Sequence, residues 1–137
     1  GGIGKGHALD RMIDMLGEWG IEHALVSAGG STVLSVGRNG AEEWAIGING
    51  QAVPFSGLAV SSSGKDVLGE HVLDPNAGRP AAGNGRAWAI CPSATVADAL
   101  STAFMVMDTA AVADLCAAHD GIRGYVVTPD GEFLAFS

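Results

Sequence analysis

Asp98 and Thr102 stand four residues apart in the stretch VADALSTAF, with Ser101 beside Thr102. On a helix this spacing puts a carboxylate and a hydroxyl on one face. Such a pair suits a hard cation such as Mg²⁺, which takes one or two carboxylates and completes its shell with water and phosphate oxygens. The same spacing also fits a solvated aspartate and a threonine packed on the preceding turn. The opening stretch GGIGKGHALD places Lys5 among four glycines, ahead of an apolar-periodic run. It is not a P-loop, because Gly6 stands where a hydroxyl is needed after the lysine, and it does not satisfy GxGxxG. What it offers is a backbone open to close approach, one cation and a helix N-terminus that attracts anions. A turn before an ordinary helix accounts for it as well. His71, in EHVLDP, has Asp74 three residues on. An imidazole titrating near neutrality can act as a general base, orient a phosphate, or simply be a satisfied structural histidine. The run Ser61-Ser62-Ser63-Gly64 supplies hydroxyls in a turn-prone setting, but GxSxG is absent. His7, His23 and His119 share no metal-ligand spacing and are expected at the surface or in the core.

These residues need elements to hold them. Ala8, Leu9, Met12, Ile13, Leu16 and Trp19 recur at spacings of three and four, predicting a helix over 5–19 that ends at Gly20. Segments 22–28 and 32–36 read as a hairpin around Gly29-Gly30-Ser31, with further strands at 43–48, 58–62 and 87–90. A polar, Gly- and Pro-rich region spans 63–86. Ser93 is placed to cap a helix over 94–107 whose apolar face is Val96, Leu100, Ala103, Phe104 and Met107; Asp108 or Thr109 caps another reaching residue 119. Residues 124–128 and 133–136 form a closing hairpin around Pro129-Asp130-Gly131. Strict βαβ alternation is lacking. The expected class is therefore α+β, a mixed, mostly antiparallel sheet packed with about three helices, in a single domain over 1–137.

Composition narrows the partners. The chain has 15 acidic residues against 7 basic ones and no basic cluster, so nucleic acid is excluded as a partner. A nucleotide is still compatible, since a helix N-terminus, one lysine and a metal ion can neutralise a diphosphate. No apolar run approaches the ~20 residues of a membrane span. Cys91 and Cys116 lie in apolar surroundings without CxxC spacing, which argues against zinc and leaves buried thiols or a disulfide open. The chain opens on Gly1 instead of Met, as a fragment or processed product would.

Taken in order, six segments resemble the FAD:protein FMN transferases, the ApbE or thiamine-biosynthesis-lipoprotein family. GGIGKGHALD resembles the family's GGIAKGYAVD, and ALVSAGG at 24–30 its strand ending in a glycine pair. WAIGI at 44–48 is similar to W-x-x-G-I, AVSSSG at 59–64 to AVATSG, HVLDPNAGRP at 71–80 to HIIDPxTGxP, and ADALSTAF at 97–104 to ADALATAL. The resemblance implies an ApbE-like core lacking its N-terminal part, and a reaction in which FAD is cleaved at its diphosphate. FMN passes to a threonine or serine hydroxyl of an acceptor flavoprotein, and AMP leaves.

Carried over position by position, the resemblance implies Mg²⁺ held by the Gly4 carbonyl, Asp98 and Thr102, with His71 and Asp98 as catalytic residues. It implies FAD contacts from Lys5, Gly6, Gly29, Gly30, Ser63, Gly64, His71 and Asp74. The implied partners are FAD, the acceptor flavoprotein, and either a second copy of the chain or a missing N-terminal half. The family often works at the bacterial cell envelope. Ser31 departs from the pattern, which carries aspartate after the glycine pair, and the segment between Gly64 and His71 is short. Mg²⁺-dependent hydrolysis of FAD to FMN and AMP, and a non-catalytic flavin-binding or assembly module, are the alternative readings.

Overall fold

The computed structural model describes residues 2–64, 72–75, 78–80 and 83–137, with 79–80 described through their backbone. Along the chain these residues form α1 (Gly4–Glu18), β1 (Ala24–Ala28), β2 (Thr32–Val36), β3 (Ala45–Ile48), β4 (Gln51–Pro54) and β5 (Ala59–Gly64). There follow β6 (Leu73–Asp74), β7 (Arg79–Pro80), β8 (Arg86–Cys91), α2 (Ala94–Ala103), α3 (Thr109–Ala118), β9 (Arg123–Val127) and β10 (Phe133–Phe136).

Six strands form the main sheet in the order β1-β2-β5-β8-β9-β10. Every described pairing in it is antiparallel, in keeping with the expected α+β class and mostly antiparallel sheet. The connection from β8 to β9 shows why. Two helices intervene, and a pair of helices returns the chain to the end of the sheet it left, where a single helix would have fed a parallel strand.

Side-chain alternation gives the sheet two different faces. Ala87 and Ala89 of β8, Val126 of β9 and Leu34 of β2 face the helices, where they pack with Leu9, Ala97, Phe104, Met105 and Val112. Trp88, Ile90 and Val60 face the other way, under a β3–β4 hairpin that contributes Ile46, Ile48 and Val53. Strand β4 is absent from the sequence reading. Its signal was the Asn49-Gly50 pair, both residues at positive φ, which is the favoured chemistry for a two-residue hairpin turn.

Helix α2 starts after Ser93, as expected, but ends at Ala103 and not at 107. The buried Asn84 takes the Phe104 and Met107 carbonyls through Nδ2, at 2.6 and 3.2 Å, so these groups need no further helical turn. Val96, assigned to the apolar face, is instead 42% exposed, because α1 and the sheet cover only the opposite side of α2. Cys91 and Cys116 are free, buried thiols, and burial raises the pKa of each. No helix among the described residues is long and apolar enough to cross a membrane.

Gly124 sits where β9 meets both helices. A Cβ there would lie 3.0 Å from Cys116 Sγ and 3.1 Å from both Phe104 Cε2 and Val112 Cγ1. Three core atoms would have to yield together. Gly124→Ala is therefore expected to cost about 1–3 kcal/mol, read as a lower urea midpoint at unchanged slope.

Candidate active site

Asp98 projects from the first half of α2 into the space between α1 and the sheet, and only 2% of it is exposed. A buried carboxylate must be paired and hydrogen-bonded to be tolerated. Asp98 is both. Lys5 Nζ lies 3.1 Å from Oδ1, the Gly6 N–H donates to Oδ2 at 3.1 Å, and the hydroxyls of Thr32 and Ser61 approach Oδ1 at 3.4 Å. The reading of Asp98 as a solvated helix residue is thereby excluded. The Lys5 side chain is 39% exposed, so the ammonium bridges the buried carboxylate and solvent.

Next to it runs a line of hydroxyls between β5 and α2. Ser61 and Ser63 are two apart on a strand and so share its helix-facing side. Ser61 Oγ meets Ser101 Oγ at 3.2 Å, Ser63 Oγ meets Ser101 Oγ at 3.1 Å, and Ser63 Oγ meets Thr102 Oγ1 at 3.3 Å. Thr102 Oγ1 also donates to the Asp98 backbone carbonyl at 3.2 Å. A hydroxyl carries one hydrogen. With that hydrogen on the carbonyl, Thr102 Oγ1 can only accept from Ser63, and it retains a second lone pair for a further partner.

Both ends of α2 are anchored. At its C-terminal end Asn84 takes the carbonyls already described. At the other end the Asp10 carboxylate, reaching across from α1, accepts from Ala94 N at 2.8 Å, Thr95 N at 2.9 Å, Ser93 Oγ at 2.9 Å and Thr95 Oγ1 at 2.6 Å. These are charge-assisted bonds to the otherwise unpaired first N–H groups of a helix. Burial pushes the Asp10 carboxyl up, but the bonds from Thr95, Ala94 and Ser93 outweigh it and hold its pKa below the ordinary 3.8. A depressed carboxylate pKa contributes stability above the unfolded value and loses it as pH falls through the folded value. Stability is therefore expected to decline below about pH 4, with that part of the decline absent in Asp10→Asn, as checked by urea titration across pH.

The comparisons with known proteins now decide the family. The sequence profile of the ApbE family matches residues 1–126. The chain belongs to the ApbE family. It is 30% identical to the FAD:protein FMN transferase of Escherichia coli strain K12, covering 95% of this chain and 42% of that protein. The crystal structure of the Pseudomonas stutzeri flavinyl transferase ApbE, in its apo form, superimposes with a TM-score of 0.86 at 30% identity, covering 99% of this chain and 46% of that one. An ApbE protein from Thermotoga maritima gives 0.86 at 31% identity, covering 99% and 50%. The chain thus spans about half the length of the relatives it matches.

The ApbE-like motifs converge unevenly in space. Lys5, Gly6, Ser63, Asp98 and Thr102 meet in the cluster just described. Gly29 and Gly30 form the β1–β2 turn at positive φ, and a Cβ on Gly29 would lie 3.4 Å from Lys5 Cδ, so that turn borders the lysine. Gly64 ends β5, buried. Asp74 belongs to the separate β6–β7 ribbon, where its carbonyl accepts from Gly78 N at 2.8 Å. His71 lies outside the described residues. Ser31 contributes its backbone, its carbonyl accepting from Ser62 N at 2.8 Å, while the adjacent Thr32 reaches Asp98. Sequence reasoning missed Thr32 and Asp10, and it named the Ser61 hydroxyl without tying it to Asp98. The period-two pairing of Ser61 with Ser63 carried a signal for that tie, and the four-residue step from Gly6 to Asp10 on one helix face carried one for Asp10.

Proposed function

We propose that this chain supplies the metal- and diphosphate-binding half of a flavin transferase, which moves FMN from FAD to a threonine or serine hydroxyl of an acceptor protein and releases AMP. The observation that carries the reading is the buried Asp98, already holding one cationic group, one helical turn from a hydroxyl with an uncommitted lone pair. The donors that the family resemblance assigns are all oxygen: the Asp98 carboxylate, the Thr102 hydroxyl and the Gly4 carbonyl. That set fits Mg²⁺ and not a soft metal, and among the described residues no group of three or more His, Cys, Asp or Glu forms a competing all-protein site.

Mg²⁺ bound there would neutralise charge on the diphosphate as its bond breaks. The chain's own groups do the rest. The Lys5 ammonium balances Asp98 and stands at the N-terminal end of α1, where phosphate oxygens also find free backbone N–H groups. Ser63 donates to Thr102 Oγ1 and holds it in place. The relatives' shared name, FAD:protein FMN transferase, supports the substrate, and the half-length match supports a site completed by further chain. His71 is the candidate base for the acceptor hydroxyl.

The test is incubation of the chain with FAD, Mg²⁺ and a threonine-containing acceptor peptide. The expected result is AMP together with covalently flavinylated peptide, both abolished by a chelator. Free FMN with AMP and no flavinylated peptide would replace transfer by hydrolysis. Retained flavin absorbance without AMP would leave a binding module only.

A further inference from the structure

Helices α1 and α2 run antiparallel and meet at three levels spaced four residues apart on each. At the first, a Cβ on Gly2, just ahead of α1, would lie 3.1 Å from Thr102 Oγ1. At the second, Gly6 N donates to Asp98 Oδ2 at 3.1 Å, and a Cβ on Gly6 would fall on the Ala94 carbonyl. At the third, Asp10 grips the start of α2 through Ser93, Ala94 and Thr95. Four residues make close to one helical turn, so the three levels form one straight seam. Two belong to the proposed metal site. The third lies one turn away from Asp98 and touches none of the groups proposed to meet metal or substrate.

We propose that Asp10 is a positioning residue that sets the register of α2 against α1, and through it the placement of Asp98 and Thr102 opposite Gly2–Gly6. The reason is geometric. Glycine at levels one and two lets the backbones approach closely, and a slip of one residue moves a helix about 1.5 Å and turns it about 100°. At level two Asp98 ties the helices through one bond from Gly6 N and the part-exposed Lys5 ammonium; the third level has the denser grip. Two oxygens accepting four hydrogen bonds from consecutive residues define position and rotation together. Ser93 also caps α2 locally, accepting from Val96 N at 3.3 Å. That bond lies within α2 and carries no information about α1.

The proposal deepens the transferase reading in its catalytic consequence, while its structural claim stands on the seam alone. The experiment compares Asp10→Asn, Asp10→Ala, Thr95→Val and Ser93→Ala in the full chain, by amide hydrogen exchange and by Mn²⁺ binding in electron paramagnetic resonance. Gly6 exchange is normalised to the Val126 amide of β9, which reports global opening. Asp10→Asn is expected to lower Gly6 protection about 10-fold relative to Val126 and to weaken Mn²⁺ binding by about 10-fold, as loss of an outer support does at metal sites. Thr95→Val should shift both in the same direction by less, and it carries the test if Asp10→Ala does not fold. Ser93→Ala removes one Asp10 bond together with the local cap, so it should loosen the Val96 amide and lower Gly6 protection by less than Asp10→Asn does. A lower melting temperature in Asp10→Asn with unchanged Gly6 protection and Mn²⁺ affinity would overturn the proposal, leaving Asp10 as a local cap. Absence of Mn²⁺ binding in the parent chain would count against the transferase reading instead, and Gly6 exchange would still decide the register.

Discussion

Asp98→Ala is expected to abolish the proposed Mg²⁺-dependent FAD cleavage while leaving most of the chain folded. The two effects separate because the partners of Asp98 differ in what they can do without it. Thr32 Oγ1 and Ser61 Oγ already lie 3.0 Å apart and can bond each other, and the half-exposed Lys5 can turn to water. The Gly6 N–H has no such replacement. Loss of one buried acceptor costs about 1–3 kcal/mol, which a cooperative urea melt will show. The proposed catalysis loses more, because the only carboxylate among the described residues of the Lys5–Thr102 cluster goes and with it the proposed anchor for metal and diphosphate. Removing one preorganised electrostatic group typically costs about 10²–10³ in rate, and removal of the metal anchor should reach at least that. Asp98→Asn keeps the shape and separates charge from volume. AMP release near the parent's rate in either variant, at saturating Mg²⁺, would remove Asp98 from the site.

Gly6→Ala should be a severely damaging small substitution. The added methyl would meet the Ala94 carbonyl and the Thr95 Cα, which are backbone atoms of a helix and cannot rotate away. The helices must separate, and separation weakens the Gly6–Asp98 bond and the Asp10 grip together. A loss of about 3 kcal/mol or more is expected, at the upper end of overpacking penalties. Two controls sharpen it. Gly17 lies in the same helix with nothing within 4 Å of its added Cβ, so Gly17→Ala should stabilise by about 0.5–1 kcal/mol through helix propensity. Gly4 is equally open, and Gly4→Ala should be tolerated. Thermal melts of the three variants check the ranking, which fails if Gly6→Ala melts with the other two.

What was legible in the sequence follows from the range of each interaction. The extent of α1, the Ser93 cap of α2, the β1–β2 and β9–β10 hairpins and the Asp98–Thr102 spacing are all local, and the structure has each where local rules put it. Of the apolar stripe read on α1, Leu9 is buried while Met12 and Trp19 are 46% and 70% exposed, because the sheet and α2 cover only the Gly6–Leu9 part of the helix. The end of α2 was misjudged because Asn84, 20 residues away, takes the Phe104 carbonyl. Thr32 and Ser61 were invisible as partners of Asp98 because no spacing rule links residues 66 and 37 positions apart; only sheet register brings them together. Asp10 was missed for a different reason. A capping residue is sought immediately before its own helix, and this one is supplied from another.

The separation between the two halves of the site has a kinetic meaning. The bond from Gly6 to Asp98 closes a span of 92 residues, and ordering a flexible loop of that length costs about 4 kcal/mol in chain entropy. Most sheet pairings are shorter-range, and α1 fully buries only Gly6 and Leu9. The first helix is thus expected to dock late, onto a sheet already formed, and to be the element released first on partial opening. Ligand that requires both helices would then act as a latch on the N-terminal segment. Its affinity and the lifetime of the docked helix would rise and fall together.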